Sequence, residues 1–461
     1  MRIVPACAAA AECPAFMLAL QASGKRMATP GELSRIVERT SWHLRSWQVV
    51  TGVTVITSLL LIAEIPRQTW LSTATLSVAL GASALALMGI AALLASRWSL
   101  VESALGGLDR VYLTHKWLAV WALVFASVHF VFRAELESWD LAPILQLPRP
   151  TTRFIRQLSF IALMVIVILA LNRKIPYARW RLWHKFSGPL FVIVILHWLS
   201  IRSPVRLDSP AGIWLAAVSG LGVAGAAYKL LLYPFVAKHA DYRVVGASAD
   251  ASALHLELEP VSKSITFRPG QFGFLRMEED GLREPHPFTI AGGGQDGRVH
   301  FVIRDLGDYT HQLVKRAAPG MYAEVYAPYG RFQRPASAAR EIWIAGGVGI
   351  TPFIAWLTDP HASDFDRVTL FYFFTPGREF PKAEFLRELA ARRGAQFVPV
   401  ATGPSSAEFI ERFDEIIRNS EPEHVVVCFC GPPGLKNALR PHLSRSGVPE
   451  RNLRYEYFEF R

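Results

Sequence analysis

Four histidines sit in apolar surroundings, and their spacing is paired. In THKWLAVWALVFASVH (114–129), His115 and His129 lie 14 residues apart. In WHKFSGPLFVIVILHW (183–198), His184 and His197 lie 13 apart. At a helical rise of 1.5 Å per residue, each pair marks two levels roughly 20 Å apart. Two spans separated by one intervening span run in the same direction, so His115 matches His184 in depth and His129 matches His197. Two imidazoles facing each other across a bundle core can ligate a haem iron axially, one from each side. Such ligation leaves no open position and suits electron transfer, and two such haems stacked across a bilayer would make a wire. A lone intramembrane histidine is more often a helix contact, although polar groups there are costly and tend to be functional. Four histidines matched in depth favour ligation. At about 100° per residue, His115 and His129 fall within about 40° of each other, whereas His184 and His197 differ by about 140°. Gly188-Pro189 lies between the second pair, and a proline kink there is expected to rotate the lower half of the helix.

These histidines need a membrane bundle to position them. The chain has 461 residues, 51% of them hydrophobic, and a mean hydropathy of +0.24. Segments free of Asp, Glu, Lys and Arg occur at 46–63, 68–96, 117–132, 157–172, 186–201 and 209–228. A span needs roughly 17–25 apolar residues, which the shorter segments reach if Lys116, Arg133 and Lys185 snorkel to the interface. Six spans are expected. Arg173, Lys174, Arg179, Arg181 and Lys185 crowd one loop without an acid, which makes the loop after span 4 cytoplasmic. Arg97, Arg110, Lys116, Lys229 and Lys238 agree, and both termini are then cytoplasmic, although the opposite loop at 133–156 is also fairly basic. The formal charge of +11 thus follows membrane topology rather than an aromatic-rich face, which argues against nucleic acid as a partner. Cys7, Cys13, Cys428 and Cys430 form no disulfide framework. Residues 1–26 read poorly as a signal peptide, and Met27 is an alternative start.

Near YPFVAKHADY (233–242) the texture changes from long apolar runs to short alternating ones. ALHLELEP (253–260), RVHFVIRD (298–305) and MYAEVYAP (321–328) alternate with period two, as strands of an antiparallel barrel of about 95 residues would. From Glu341, buried-looking strands EIWIAG, VTLFYFF and HVVVCFC alternate with helical stretches, the rhythm of a parallel sheet. The expected domains are an N-terminal cytoplasmic segment (1–44), a membrane bundle (45–235), a barrel (240–336) and a nucleotide-type α/β domain (339–461).

The soluble half carries chemistry of its own. REPHPFTIAG (283–292) reads as a strand ending in a Pro-flanked turn, with the Thr289 hydroxyl placed near a flavin ring nitrogen. Gly307 of GDYT (307–310) permits close backbone approach, and Arg304 and Thr310 can bind a pyrophosphate. In EIWIAGGVGITPF (341–353), Gly346, Gly347 and Gly349 stand between a strand and a helix start, where amides and the helix dipole bind phosphate. This is not the GxGxxG spacing. VVVCFCGPPG places Cys430 at a strand tip, followed by Gly431 and Pro432, where a thiol would face a nicotinamide at the carboxyl ends of the strands. Cys428 and Cys430 lack the partner ligands that a zinc site needs.

HPFT, a Gly-Asp-aromatic-Thr turn, GGxGxTP and CGPP together resemble the ferredoxin-reductase-type flavoproteins. Joined to six spans with His-x13-His and His-x12-His, the whole resembles the ferric reductase / NADPH oxidase superfamily in a bacterial-type form, over about residues 45–461. The resemblance implies two b-type haems, one on His115 and His184 near the cytoplasm and one on His129 and His197 near the outer face. It implies FAD against His286, Pro287, Phe288 and Thr289, with its phosphates on Arg304 and Thr310, and NAD(P)H on Gly347, Gly349, Thr351, Cys430 and Gly431. Phe458 or Phe460 would cover the flavin, although the chain ends on Arg461 rather than on an aromatic residue. No EF-hand loop precedes the bundle, so direct calcium control is not expected. Arg378, after the second strand of the nucleotide domain, would favour NADPH over NADH if it pairs with a 2′-phosphate.

The expectation is a multi-pass oxidoreductase of a bacterial inner membrane with its FAD and NAD(P)H domains in the cytoplasm. Electrons would pass to oxygen, giving superoxide, or to a ferric chelate, with no obligatory protein partner. The alternatives are a membrane subunit that reduces a protein or quinone, and a haem-binding sensor with a vestigial flavin module.

Overall fold

The computed structural model describes residues 43–132, 135–172, 174–249, 253–294, 296–335 and 338–456, with Ala178 described in its backbone only. Phe458, Phe460 and nearly all of the N-terminal segment lie outside the described residues.

The first half is helical: α1 (Ser46–Ile62), α2 (Thr73–Leu94), α3 (Ser99–Leu105), α4 (Leu108–Val131), α5 (Arg149–Leu171), α6 (Tyr177–His184), α7 (Ser187–Ser200) and α8 (Pro210–Ala227). A π-wound turn at Tyr228–Leu232 and the short α9 (Tyr233–Val236) carry the last helix on. Among the described residues, five stretches are long and apolar enough to cross a membrane: Thr73–Leu94, Leu108–Val131, Arg149–Leu171, Arg179–Ser200 and Pro210–Val236. The first expected span, α1, is apolar but has only 17 residues, the short end of what a bilayer core requires. Helix α2 is the buried centre. Its Ala, Gly and Ser side chains let neighbouring backbones approach closely, the usual device where lipid offers no hydrophobic drive to packing.

The break in the histidine-bearing fifth segment lies upstream of the expected Gly188-Pro189. Helix α6 ends on His184 and α7 begins at Ser187. Between them the Phe186 amide donates to the Trp183 carbonyl at 3.1 Å, three residues back. Such tighter winding adds roughly 20° per residue. Pro189 then falls in the first turn of α7, where no helical N–H bond is needed. The Lys185-Phe186 turn therefore contributes part of the rotation between His184 and His197.

The second half begins with a closed barrel of β1 (His239–Ala249), β2 (Leu254–Pro260), β3 (Phe272–Met277), β4 (His286–Gly293), β5 (Val299–Ile303) and β6 (Tyr322–Tyr329). The strand order is β1-β2-β5-β4-β3-β6, with α10 (Asp308–Arg316) between β5 and β6. His-Pro-Phe-Thr is not the turn that the prolines suggested. It opens β4, pairing with β3 from Leu275↔His286 to Phe272↔Thr289.

The last domain comprises β7 (Arg340–Gly346), α11 (Thr351–Thr358), β8 (Val368–Phe373), α12 (Ala383–Arg393), β9 (Gln396–Val400), α13 (Ala407–Arg418), β10 (Val425–Cys430), α14 (Pro433–Arg445) and β11 (Leu453–Glu456). The five strands are parallel, in the order β11-β10-β7-β8-β9. The chain leaves β7 toward β8 on one side and later returns to place β10 on the other. The topological switch point, where open α/β sheets bind ligands, thus lies between β7 and β10. Packing ties this sheet to the barrel: Trp356 Nε1 donates to Pro269 O at 3.2 Å and Thr358 Oγ1 to Ala291 O at 3.0 Å.

Candidate electron-transfer site

The four histidines meet in two pairs, as their spacing predicted. The rings of His115 and His184 have centroids 5.9 Å apart, and those of His129 and His197 are 6.5 Å apart. An imidazole nitrogen lies roughly 2 Å from a metal it ligates, so an ion held from both sides leaves roughly 4 Å between the two nitrogens. The observed centroid separations suit that. His115 Nδ1 lies 2.8 Å from Ala91 O, and His129 Nδ1 lies 2.8 Å from Ser77 O. A carbonyl only accepts, so both rings carry their proton on Nδ1 and leave Nε2 as the free donor of a lone pair. This is the usual arrangement of a metal-binding histidine. Ala91 and Ser77 are themselves 14 residues apart on α2, so one helix supports both histidines of α4 at matching intervals. Gly81 completes the fit, because a Cβ there would stand 2.7 Å from His129 Nδ1. Sequence reasoning missed Ser77, Gly81 and Ala91, whose small side chains read simply as helix packing. The Nδ1 atoms of His184 and His197 are buried without a partner among the described residues. No group of three or more metal-binding side chains occurs among the described residues, so each site would be a two-ligand one.

At the barrel, the Thr289 hydroxyl is buried with no partner among the described residues, as expected of a group reserved for a ligand. His286 lies flat against Tyr309, with centroids 3.7 Å apart and planes 22° apart. Its Nε2 is 3.5 Å from Glu284 Oε2, yet burial, helped by the Arg181 cation, outweighs that carboxylate and lowers its pKa to about 4. The ring is neutral at pH 7. Pro287 and Phe288 complete the strand edge. The Thr310 hydroxyl accepts from the Leu306 and Gly307 amides at 2.9 and 3.0 Å, so it shapes the turn that would receive a phosphate and has less capacity left to bind one. A Cβ on Gly307 would meet no atom within 4 Å, so the space beside it is open. Arg304 reaches across to the next domain, with one guanidinium nitrogen 3.2 Å from where a Gly347 Cβ would lie.

At the switch point the two glycine-rich turns touch backbone to backbone. A Cβ on Gly349 would come within 2.1 Å of Cys430 O, and one on Gly431 within 3.1 Å of Gly346. Gly347 has a φ of +54°, which a side chain would resist. A Cβ on Gly346 would stand 2.8 Å from Pro432. Thr351 Oγ1 donates to Val348 O at 3.0 Å and holds the turn that opens α11. Cys430 is fully buried and pairs in register with Glu456 of β11. Burial raises the pKa of its thiol well above the ordinary value, with Glu456 adding to the effect. The sulfur is therefore a neutral S–H and no nucleophile. Glu456 is likewise raised, by burial and then by Asp109. Nothing in YEYFEF had marked Glu456 as buried. Arg378 stands exposed in the turn after β8, its amide bonded to Thr375 O at 2.9 Å.

Residues 80–195 match the family model of the ferric reductase like transmembrane component, and residues 238–333 match that of an FAD-binding domain. Together the two matches are typical of the ferric reductase / NADPH oxidase family. The chain thus carries a ferric reductase like transmembrane domain followed by an FAD-binding domain. Among curated proteins it is 27% identical over 227 residues to a flavohemoprotein of Burkholderia sp. (strain TH2), covering 47% of this chain and 57% of that one. It is 25% identical over 212 residues to a 2-halobenzoate 1,2-dioxygenase electron transfer component of Burkholderia cepacia, covering 44% of this chain and 62% of that one. The chain thus spans less than two-thirds of the length of these curated relatives. Among solved structures, the FAD/NAD binding domain of a nitric oxide dioxygenase from Vibrio cholerae is similar at a TM-score of 0.41 and 20% identity, covering 48% of this chain and 98% of that one.

Proposed function

We propose that this protein takes electrons from NAD(P)H in the cytoplasm and delivers them across a bacterial inner membrane. The acceptor would be oxygen, giving superoxide, or a ferric chelate. The observation that carries this reading is the pair of facing imidazole couples at 5.9 and 6.5 Å, with Nε2 of His115 and His129 left free by backbone carbonyls. His115 and His184 would hold the inner b-type haem, and His129 and His197 the outer one. When bound, FAD supplies the conversion of a hydride's electron pair into single electrons, and the haems supply their relay.

The chain's own residues do the positioning. Thr289 offers its unpaired hydroxyl to the flavin, His286, Pro287 and Phe288 line the same strand, and Arg304 supplies a cation for the pyrophosphate. Gly346, Gly347, Gly349 and Gly431 keep the β7–β10 crevice clear of side chains, with Thr351 and Pro432 fixing its edges. Cys430 presents a neutral thiol at its floor. Arg378 would pair with a 2′-phosphate. The aromatic cover of the flavin is assigned to Phe460 or Phe458.

An anaerobic optical titration of the purified protein with FAD and NADPH, with a haem count per chain, tests this. Two b haems reduced by NADPH are expected. A protein without haem, or with haems that NADPH and FAD leave oxidised, overturns it.

A further inference from the structure

Helix α6 joins the two halves of the site by a run of aromatic rings. Tyr309 stacks on His286 at 3.7 Å, and His286 meets Tyr177 at 5.3 Å between centroids. Tyr177 meets Trp180 at 5.3 Å. Trp180 lies flat on His184 at 5.1 Å with planes 16° apart, and His184 faces His115 at 5.9 Å. Every member of the run packs on the next, from the flavin strand to the inner histidine pair.

The sequence spacing explains the geometry. Positions 177, 180 and 184 are i, i+3 and i+7, one face of a helix. The opposite face carries Leu182, 57% exposed. Trp183 lies between the two faces, is also 57% exposed, and forms an interfacial anchor of the kind found at membrane surfaces. Tyr177 and Trp180 are half-buried and turned inward, so the same anchoring role does not account for them. His115 and His129 have backbone carbonyls to fix their rings, whereas His184 Nδ1 has no partner among the described residues. The flat contact with Trp180 is what orients the His184 imidazole.

Resting on the function proposed above, we infer that Tyr177 and Trp180 are positioning residues that couple the flavin site to the inner haem. In each transfer the reduced flavin loses one electron and the ferric iron gains it. The Trp180 and Tyr177 rings change no oxidation state, and no bond is made or broken.

The test uses the full-length protein in lipid nanodiscs, loaded with FAD and haem. Trp180→Leu, Trp180→Phe and Tyr177→Leu are compared with Leu182→Ala on the opposite face of the same helix. Two readouts are taken: the single-turnover rate of haem reduction by NADPH, and the low-spin electron paramagnetic resonance spectrum of the ferric haems. Trp180→Leu is expected to shift the spectrum of one haem only and to slow reduction about ten- to a hundredfold, the cost of small misplacements at a reacting centre. Trp180→Phe should restore both, and Leu182→Ala should change neither. Should Trp180→Leu lose its inner haem, Tyr177→Leu, which does not touch a ligand, carries the rate test and is expected to be slowed. Wild-type rates in Tyr177→Leu and in a haem-replete Trp180→Leu with an unshifted spectrum overturn the inference while leaving the proposed function standing. A wild-type protein that binds no haem overturns both.

Discussion

At the scale of single residues, two side chains make opposite demands on their surroundings. His129 needs space and a carbonyl, and Gly81 and Ser77 provide them. Gly81→Ala would drive a methyl to 2.7 Å from the ring nitrogen, at a cost of about 1–3 kcal/mol if the ring keeps its place. We expect this variant to lose the outer haem while keeping the inner one and its FAD, read as haem and flavin content per chain. His286 needs to stay neutral. Its pKa falls from 6.5 to about 4 in the fold, chiefly through burial. Between those values the unfolded chain binds the proton and the folded one does not, so stability is full above pH 6.5 and declines as pH falls toward 4. The difference amounts to at most about 3 kcal/mol. The thermal midpoint of the barrel should therefore fall further between pH 7.5 and 5 in the wild type than in His286→Asn. Equal falls would show that the ring is not held neutral.

At the scale of elements, the α6–α7 turn is the decisive feature. A straight helix would leave His184 and His197 about 140° apart, and only one of them could face its partner. The tight turn at Lys185-Phe186 supplies part of the missing rotation, so its length is critical. One alanine inserted between these residues rotates everything beyond by about 100°. One haem should then be lost and the other retained, which the haem count and difference spectrum will show. Retention of both would mean that the bundle absorbs the rotation elsewhere.

At the scale of the whole molecule, the bundle and the barrel meet through a buried cation among aromatic rings. The Arg97 guanidinium lies 3.8 Å over the Phe274 ring of β3. It donates to Tyr112 Oη at 2.6 Å and to Tyr233 Oη at 3.2 Å. Tyr233 Oη is in turn 2.6 Å from Tyr329 Oη of β6. Beside it, Glu102 accepts from the Gly330 amide at 2.8 Å. These contacts set where the flavin strand lies relative to α6. A desolvated cation over an aromatic ring contributes about 2 kcal/mol. Arg97→Gln should open the junction more often, by roughly thirtyfold at that energy. Limited trypsin digestion at the exposed Lys238 of the bundle–barrel linker reads this out, and an unchanged cleavage rate would place the docking energy elsewhere.

The sequence by itself determined what depends on local periodicity and residue type. Long apolar runs mark membrane helices because lipid offers no partner for an open backbone. Period-two runs mark the barrel and buried β-rich runs the parallel sheet. The two histidine spacings already placed four imidazoles at two depths, because helical rise is fixed. The glycines of GGVG and CGPP were legible as a nucleotide turn. Only the tertiary structure shows that they are required because β7 and β10 are neighbours and their turns collide. The same holds for the α6–α7 turn, for Ser77, Gly81 and Ala91 behind the histidines, for Glu456 beside Cys430, and for the contact of Trp180 and Tyr177 with His184 and His286. Each depends on which elements pack together across large sequence separations. A small or aromatic residue reads the same in sequence whether it faces lipid, core or cofactor, and packing alone decides among them.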